Sequence, residues 1–170
     1  NGISYFIRFA NGMLNETNNL VAGTIEKLTD IRNAQIAISN TTEWNSKTNE
    51  ERDQITERLR ENEDNVRNTA DLCMKTLDLL SDLSSDKEIQ KRFMMDELLN
   101  RFVSTLTNVI YRLTGGKSLE IKVDNMEGYN FNPKNMLTEV CRTVSHFNEF
   151  EAFHTALAND GFYNEGIPLK

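Results

Sequence analysis

Apolar residues recur at steps of three and four along almost the whole chain, which is the spacing of one face of an α-helix. Proline occurs only at Pro133 and Pro168, so most of the chain carries no strong helix breaker. The pattern predicts a first helix over residues 3 to 38 and a second over residues 50 to 83. Between them lies a polar connection in which Trp44 is the only large apolar side chain. An all-α fold is therefore expected.

The second predicted helix has the clearest apolar seam, a narrow stripe near a 3.5-residue period with charged residues on the outer faces. Such a seam either packs inside the chain or pairs with another chain as a coiled coil. The seam positions are Ile55, Leu59, Asn62, Val66, Ala70, Cys73, Leu77 and Leu80.

A third helix is predicted to begin at Ser85 and Glu88, which together form a candidate capping box. We expect it to be one continuous element that ends at Gly115 and Gly116, where a left-handed conformation stops it. Its apolar face consists of Phe93, Leu98, Leu99, Phe102, Leu106, Val109, Ile110 and Leu113.

A loop and two further helices are predicted for the last third of the chain. Residues 117 to 132 form the loop, and Asn132 with Pro133 supplies a cap and a first-turn residue for the next helix. The last helix is expected over residues 149 to 159. Alternating apolar residues in the loop indicate a short extended segment at Leu119, Ile121 and Val123.

Charge and composition argue against several classes of function. The 170 residues carry a net charge of -7, whereas nucleic-acid binding needs clustered lysine and arginine. There is no run of about 20 apolar residues, so no membrane span is expected. Cys73 and Cys141 both lie in helical apolar patterns and are expected to be reduced, core-packed thiols. The first residues show neither Met nor a targeting signal, so we expect a piece of a longer chain.

Candidate catalytic and metal-binding residues do not form a complete site in the sequence. Glu151 and His154 have the spacing of half a carboxylate-bridged di-metal centre, but the second pair is absent, and His146 is the only other histidine. Neither cysteine has the paired spacing of a zinc site. We therefore expect no catalytic residue, no metal and no cofactor, and capping or surface roles for both histidines.

Two further features have both a structural and a functional interpretation. The acidic run over residues 50 to 64 alternates Glu with Arg, which is typical of a solvated helix face, with binding of a basic partner as the alternative. Phe147, Phe150 and Phe153 recur at helical spacing, which indicates core packing, with a partner groove as the alternative. The sequence does not identify partner-binding residues.

Three stretches of the sequence stand out by their order and spacing. They are YFIRFANGMLNET at residues 5 to 17, KVDNMEGYNFNPK at residues 122 to 134 and ALAND at residues 156 to 160. Trp44 stands after the first stretch and Tyr163 after the last. Together they resemble the core region of the ubiquitin chain-elongation factors, the family whose chains end in a U-box.

The resemblance implies an architecture. It implies an irregular armadillo-like helical stack of the α-solenoid type, built from long antiparallel helices. It also implies a single helical domain over residues 1 to 170, the C-terminal part of a ligase core, preceding a U-box that this chain lacks.

The resemblance also implies a function. The family elongates polyubiquitin chains on substrates already tagged for proteasomal degradation, as a RING/U-box type of ubiquitin-protein transferase without a covalent intermediate. Its U-box recruits a ubiquitin-conjugating enzyme, and an AAA segregase works with it in the cytoplasm and the nucleus. This chain is then a scaffold segment without activity of its own, and the resemblance assigns it no functional residue. A generic helical adaptor or coiled-coil tether is the alternative.

Overall fold

Two long antiparallel helices pack against each other, and the other elements pack on this pair or on one another. A computed structural model describes residues 2–115, 121 and 123–161 of the chain. The described elements are α1 (Gly2–Ser39), α2 (Thr41–Ser46), α3 (Asn49–Ser84), α4 (Lys87–Phe93), α5 (Leu99–Thr114), a 3-10 helix (Met126–Tyr129), α6 (Pro133–Ser145) and α7 (Glu151–Ala158). The predicted all-α fold is confirmed for this part of the chain, as are the two long helices.

The α1 helix packs on α3 through a face of apolar and threonine side chains. Its buried positions include Ala10, which is fully buried, whereas the neighbouring Phe9 is 51% exposed. Ala10 therefore belongs to the core face and Phe9 does not. The buried residues of α1 are Ala10, Met13, Leu14, Thr17, Leu20, Val21, Thr24, Leu28 and Ile31.

The α3 helix begins at a capping box that the sequence analysis did not identify. The Thr48 side chain accepts a hydrogen bond from the Glu51 amide at 3.2 Å, and the Glu51 carboxylate accepts one from the Thr48 amide at 2.7 Å. Amide groups at a helix start lack partners inside the helix, so this exchange stabilises the first turn. Downstream, the predicted seam is buried from Val66 to Leu80, but Ile55 and Leu59 are only half-buried.

A second group of helices covers one side of the α1–α3 pair. The α5 helix contacts α1, the α6 helix contacts α3, and α7 packs on α5. As predicted, Asn132 caps α6, accepting a hydrogen bond from the Asn135 amide at 3.0 Å, and Pro133 stands in its first turn.

An aromatic cluster fills the space between these helices. The Phe93 and Phe102 rings stack with centroids 4.4 Å apart, and Phe102 meets Phe147 edge-on at 4.9 Å. Phe153 stacks on Phe147 at 5.2 Å. All four rings are buried, so the core interpretation of the Phe147 group is confirmed, with Phe150 half-buried at its margin.

Two predicted boundaries were wrong. The polar connection between the long helices contains the six-residue helix α2, which Asn40 caps. The capping residue after α3 is Asp86 and not Ser85: its carboxylate accepts hydrogen bonds from the Glu88 and Ile89 amides at 2.9 and 3.0 Å. Ser85 instead closes α3, because its amide donates to the Asp82 carbonyl at 3.1 Å.

The predicted third helix is two helices in the structure. A turn between Phe93 and Leu99 separates α4 from α5, and the Leu98 amide donates to the Met95 carbonyl at 2.9 Å within it. Phe93 and Leu98 are both fully buried, five residues apart. A continuous helix would turn these side chains about 140° away from each other, so the turn is what allows both to enter the core.

The end of α5 also differs from the prediction in its geometry. The helix stops at Gly115 as expected, but Gly115 is extended, with φ -65° and ψ 163°, and not left-handed. A Cβ atom there would lie 2.7 Å from the Tyr111 carbonyl oxygen, so a side chain cannot enter without a shift. Gly116 and Leu119 lie outside the described residues, and Ile121 and Val123 are both buried.

In the part of the chain that the structure describes, none of the helices combines the length and the apolar character that crossing a membrane requires.

Candidate functional site

The three stretches that carry the family resemblance each dock a helix or a loop on its neighbours. The first stretch forms the beginning of α1, residues 123–134 of the second form the loop into α6 and its first residues, and the third ends α7. The contacts of these stretches are therefore the candidate functional features of this segment.

The second stretch is held on the two long helices by Tyr129. This side chain is 4% exposed, and its hydroxyl donates a hydrogen bond to Glu63 Oε1 at 2.6 Å. From α1, the Gln35 amide nitrogen lies 3.5 Å from the same hydroxyl, and the Gln35 carbonyl oxygen accepts from the Asp124 amide at 3.0 Å. One tyrosine thus links the loop to both helices.

Burial also changes the acidity of this tyrosine. It raises the pKa of Tyr129 from 10.0 to about 12, with the hydrogen bond and the charge of Glu63 adding to the effect and Arg67 opposing it. The phenol is therefore a neutral hydrogen-bond donor at physiological pH and not a proton acceptor.

Arg67 makes the second attachment between α3 and this loop. Its Nε donates to the Gly128 carbonyl at 3.0 Å, and its guanidinium lies 5.6 Å from the Tyr129 ring centroid. The Arg67 Nη1 also pairs with Asp64 at 3.1 Å, which orients the guanidinium. A planar guanidinium can stack and donate at the same time, which lysine cannot do in this way.

The loop itself is shaped by residues that tolerate unusual backbone angles. Asn125 and Asn130 flank the 3-10 helix with φ values of 59° and 57°, the left-handed region in which asparagine is enriched. Between them, a Cβ atom on Gly128 would lie 2.5 Å from the Asn125 side-chain nitrogen. A side chain at position 128 would therefore displace the Asn125 side chain, which lies against the Gly128 backbone.

A partly buried polar network joins α1 to α5 through Asn15, near the end of the first stretch, and Asn18, just after it. Asn18 Nδ2 donates to Thr105 Oγ1 at 3.1 Å, and Asn108 Nδ2 donates to Asn18 Oδ1 at 2.7 Å. Arg112 Nε donates to Asn108 Oδ1 at 3.1 Å. On α1, Asn15 lies one turn before Asn18 and is hydrogen-bonded to Arg101 of α5. Networks of this kind specify one register between two helices, because any other leaves polar groups unpaired.

The third stretch is attached to the middle of α5. Thr107 Oγ1 donates to Asp160 Oδ1 at 2.6 Å, just beyond the end of α7. Thr107 is 1% exposed, so the bond lies at the margin of the core. Phe153 of the aromatic cluster lies one turn before this stretch, on the same helix.

The candidate histidines have structural partners. His146 Nδ1 lies 3.0 Å from Ser84 Oγ, joining the ends of α3 and α6, and His154 Nε2 donates to the Asn148 carbonyl at 3.0 Å. Across the described residues, no three His, Cys, Asp or Glu side chains gather closely enough to hold a metal ion. Glu151 is exposed at the start of α7.

The two cysteines differ, and one prediction was wrong. Cys73 is 1% exposed, and desolvation raises the pKa of its thiol to about 12, so it is an unreactive core group at neutral pH. Cys141 is exposed on α6 and not core-packed. The apolar neighbours of Cys141 in the sequence face the core, while position 141 falls on the opposite side of the same helix.

The sequence pattern does not reveal the anchors of the second stretch. Glu63 and Arg67 stand four residues apart on α3, within and just beyond the acidic run, where alternating charges indicate a solvated face. Neither their type nor their spacing indicates that they meet Tyr129. Most of the run is nevertheless exposed, as the solvated-face interpretation expects.

These contacts define the class of the protein as an all-α helical assembly. Residues in or beside each characteristic stretch join one helix or loop to another.

Comparison with known proteins gives the family. The family described as "Ubiquitin elongating factor core" matches residues 1–167 of this chain. The chain belongs to this family, which agrees with the resemblance found in the sequence.

Relatives in yeast, plants and mammals show the same relationship. The chain is 29% identical over 161 residues to the E4 ubiquitin-protein ligase UFD2 of Saccharomyces cerevisiae, covering 94% of this chain and 16% of the yeast protein. It is 26% identical over 166 residues to the probable ubiquitin conjugation factor E4 of Arabidopsis thaliana, covering 95% of this chain and 16% of that protein. It is 28% identical over 156 residues to ubiquitin conjugation factor E4 A of Rattus norvegicus, covering 92% of this chain and 14% of that protein. The chain thus spans about one sixth of the length of these relatives.

Proposed function

We propose that this chain is a helical scaffold segment of a U-box ubiquitin ligase that elongates polyubiquitin chains on substrates already tagged for degradation. The observation that carries the proposal is the family match over residues 1–167, together with relatives whose names describe ubiquitin ligases and conjugation factors. The names of those relatives describe ligase activity, and the proposal extends this activity to the protein to which this chain belongs.

The packing supports a mechanical role within such a ligase. A ligase without a covalent intermediate accelerates transfer by holding its partners at a productive distance, so the scaffold between them must be stiff. Here α1 and α3 are tied to the rest of the fold by Tyr129, by the Asn18 network and by the contact of Phe6 on α1 with Phe93 of the aromatic cluster. Each of these connects elements far apart in sequence, which resists bending of the long helices.

The proposal extends to the larger architecture and to the partners. The layer of α1 with α3 and the layer of α5 with α6 would be consecutive parts of an armadillo-like stack, forming a single domain over residues 1 to 170. A U-box outside this chain would recruit the ubiquitin-conjugating enzyme. Ubiquitinated substrates and an AAA segregase would bind elsewhere on the stack, in the cytoplasm and the nucleus.

A chimera tests the scaffold function. The matched 161 residues of the yeast relative are replaced by this chain, and polyubiquitin elongation is measured on a substrate that already carries one ubiquitin. We expect elongation to persist, because the replacement preserves the spacing of the other parts. In the control, a flexible Gly-Ser linker of the same length replaces the segment, and elongation should fall to background. A folded chimera without elongation contradicts the proposal.

The isolated chain supplies a second test of the same proposal. Incubated with activating enzyme, conjugating enzyme and ubiquitin, it should assemble no chains, and robust ligation by it would contradict a pure scaffold role. The tether alternative needs the α3 seam to be available to another chain, but Val66, Ala70, Cys73, Leu77 and Leu80 are all buried within this one.

A further inference from the structure

The α7 helix is short and depends on its contacts for its placement. It comprises eight residues, and Phe153 is its buried residue. Helices of this length are not stable alone in water, so packing on other elements must fix where they lie. The α7 helix packs on α5. The contacts that α7 makes with α5 and with the aromatic cluster therefore decide how it is oriented.

Two side-chain contacts hold α7 at opposite ends. Near its start, Phe153 stacks on Phe147 with ring centroids 5.2 Å apart. Just past its end, Asp160 Oδ1 accepts a hydrogen bond from Thr107 Oγ1 of α5 at 2.6 Å, and the Asp160 amide donates to the Leu157 carbonyl at 3.2 Å. Phe153 and Asp160 are seven residues apart, about 10 Å along a helix axis. Two anchors at this separation fix the direction of α7 as well as its position.

The bond between Thr107 and Asp160 is of a strong type. A hydroxyl that donates to a charged carboxylate forms bonds of about 2.5–2.7 Å, roughly twice as strong as those between neutral groups. Thr107 is 1% exposed and Asp160 is half-buried, so water has little access to the donor. The bond joins residues 53 positions apart and ties the end of α7 to the middle of α5.

The Thr107 hydroxyl also has acceptors within its own helix. Its oxygen lies 3.1 Å from both the Val103 and the Ser104 carbonyl oxygens. A hydroxyl carries one proton, so it donates either to Asp160 or to the α5 backbone. If Asp160 moves away, the proton turns to the backbone, and no buried donor is left without an acceptor. The fold of α5 therefore does not depend on the bond to Asp160, whereas the direction of α7 does.

On another face, α5 is attached to the two long helices. Thr105 and Asn108 of α5 are hydrogen-bonded to Asn18 of α1. At about 100° per residue, Thr107 lies about 100–160° around the helix from these two residues. The α5 helix thus holds α1 with one face and α7 with another, so the direction of α7 is set relative to the α1–α3 pair.

We propose that Thr107 and Asp160 are positioning residues that fix the direction in which the chain leaves α7, and with it the placement of the U-box. This inference rests on the proposed function, in which a U-box follows this segment. It goes beyond that function because it assigns the placement to one hydrogen bond between two named side chains.

A small movement at Asp160 is magnified further along the chain. If the bond is lost and Asp160 shifts by about 3 Å, α7 tilts about Phe153 by about 15°, since the two residues are about 10 Å apart. The far side of a small domain, about 30 Å across, then moves by about 8 Å. Transfer between bound partners is sensitive to displacements of about 1 Å, so a tilt of this size should slow it.

The distance between this chain and the U-box tests the proposal directly. In the chimera with the yeast relative, one fluorophore is placed at position 141 of α6 and another in the U-box, and single-molecule energy transfer measures the distribution of their separations. We expect one narrow distribution. Thr107→Val removes the hydroxyl but keeps the shape of the side chain, and it should shift or broaden the distribution by up to about 8 Å. An unchanged distribution in this variant, or a broad one in the unsubstituted chimera, overturns the proposal.

Matched variants separate this bond from a general loss of packing. Thr107→Ser keeps the hydroxyl and should keep the narrow distribution. Thr143→Val makes the same change at another 1% exposed site, where the hydroxyl donates to the Glu139 carbonyl of its own helix, and it should have no effect. A serine variant that behaves like the valine variant, or an equal effect of Thr143→Val, would assign the change to packing and overturn the proposal.

Substitutions at the acceptor supply an arm that leaves the core untouched. Asp160→Ala should reproduce the effect of Thr107→Val, so the test stands even if the valine variant fails to fold. The two substitutions together should add nothing to either one alone, because both remove the same contact. An unchanged distribution in Asp160→Ala, or fully additive effects, would contradict a shared bond.

The rate of ubiquitin transfer separates this inference from the proposed function. In the chimera, Thr107→Val should lower kcat for elongation about tenfold and leave KM for the singly ubiquitinated substrate and the melting temperature unchanged, because only the placement of the U-box is lost. If the chimera does not elongate chains but its distances respond to Thr107→Val, the proposed function fails and the positioning of the U-box is supported. If elongation persists and the substitution changes neither kcat nor the distances, the scaffold function stands and the positioning role is overturned. An unchanged kcat despite altered distances also overturns it.

Discussion

The two ends of the α1–α3 pair have the same helical pattern but different environments. The base comprises residues 3–35 of α1 and 63–84 of α3, where α5, α6, the loop before α6 and the aromatic cluster complete the packing. The tip comprises residues 36–62, where no residue is buried although the seam continues through Ile55 and Leu59. The spacing of the seam therefore predicts which side chains face the neighbouring helix. Whether those side chains are buried depends on a third helix or loop that covers them.

The tip is held by local interactions instead of a core. Thr48 and Glu51 cap α3, Asn40 caps α2, and Arg52 donates to the Trp44 carbonyl at 2.9 Å across the turn. The ion pair between the two long helices, Arg58 with Asp30, is long at 3.9 Å and exposed. Exposed ion pairs contribute about 0–1 kcal/mol and helix caps about 0.5–2 kcal/mol each, less than a buried core, so the tip should open before the base.

The largest expected effect is in the base, at the centre of the aromatic cluster. Phe102→Ala removes a fully buried ring that contacts Phe93 and Phe147, and it should lower the free energy of unfolding by about 3–5 kcal/mol. Urea denaturation measures this value. A loss below about 1 kcal/mol would show that the cluster is not the core of the base.

A matched pair of leucines on α3 compares base and tip directly. Leu77→Ala should cost about 2–5 kcal/mol, because the side chain is 1% exposed and leaves a cavity. Leu59→Ala, the same change on the same helix, should cost about 1 kcal/mol or less, because Leu59 is already partly in water. Chemical denaturation measures the free energy of unfolding of both variants. Equal losses of stability would show that the two ends do not differ in packing.

The attachment of the loop to the base should depend on alkaline pH. The folded pKa of Tyr129 is about 12 against 10.0 for an ordinary tyrosine, so the unfolded chain loses this proton first. The stability is fully present below pH 10 and falls as the pH rises from 10 towards 12. Tyr129→Phe should cost about 1 kcal/mol at neutral pH through the lost hydrogen bond.

The pH dependence itself needs a control, because Cys73 also has a pKa raised to about 12 and acts in the same direction. Unfolding curves between pH 8 and pH 12 are compared for the wild type, Tyr129→Phe and Cys73→Ala. Each variant should lose part of the alkaline slope. An unchanged slope in Tyr129→Phe would mean that the phenol is not buried as described.

The smallest expected effect is at the tip. Thr48→Ala removes the hydroxyl that caps α3, and it should change the global free energy of unfolding by less than about 0.5 kcal/mol while hydrogen exchange speeds up at residues 49–52. The pKa of Glu51, which hydrogen bonds from the Thr48 amide and hydroxyl lower, should move back up in the variant. A large global loss would instead make the tip part of the cooperative unit.

The sequence by itself determined the helices and much of the core. The steps of three and four residues, the lack of proline before Pro133 and the Asn132 cap fix these features, because they act within a few residues. The three stretches of family resemblance are equally local in the sequence. They identified the family without any knowledge of what they contact.

Only the tertiary structure decided which apolar residues became core. The break between Phe93 and Leu99, the exposure of Cys141 and of Phe9, and the bond from Tyr129 to Glu63 all depend on elements distant in the chain. No turn residue marks the break, and a charged pair on α3 looks the same whether it faces water or a tyrosine. Helical spacing places a side chain on a face, whereas burial requires a partner for that face, and partners meet only when the chain is folded.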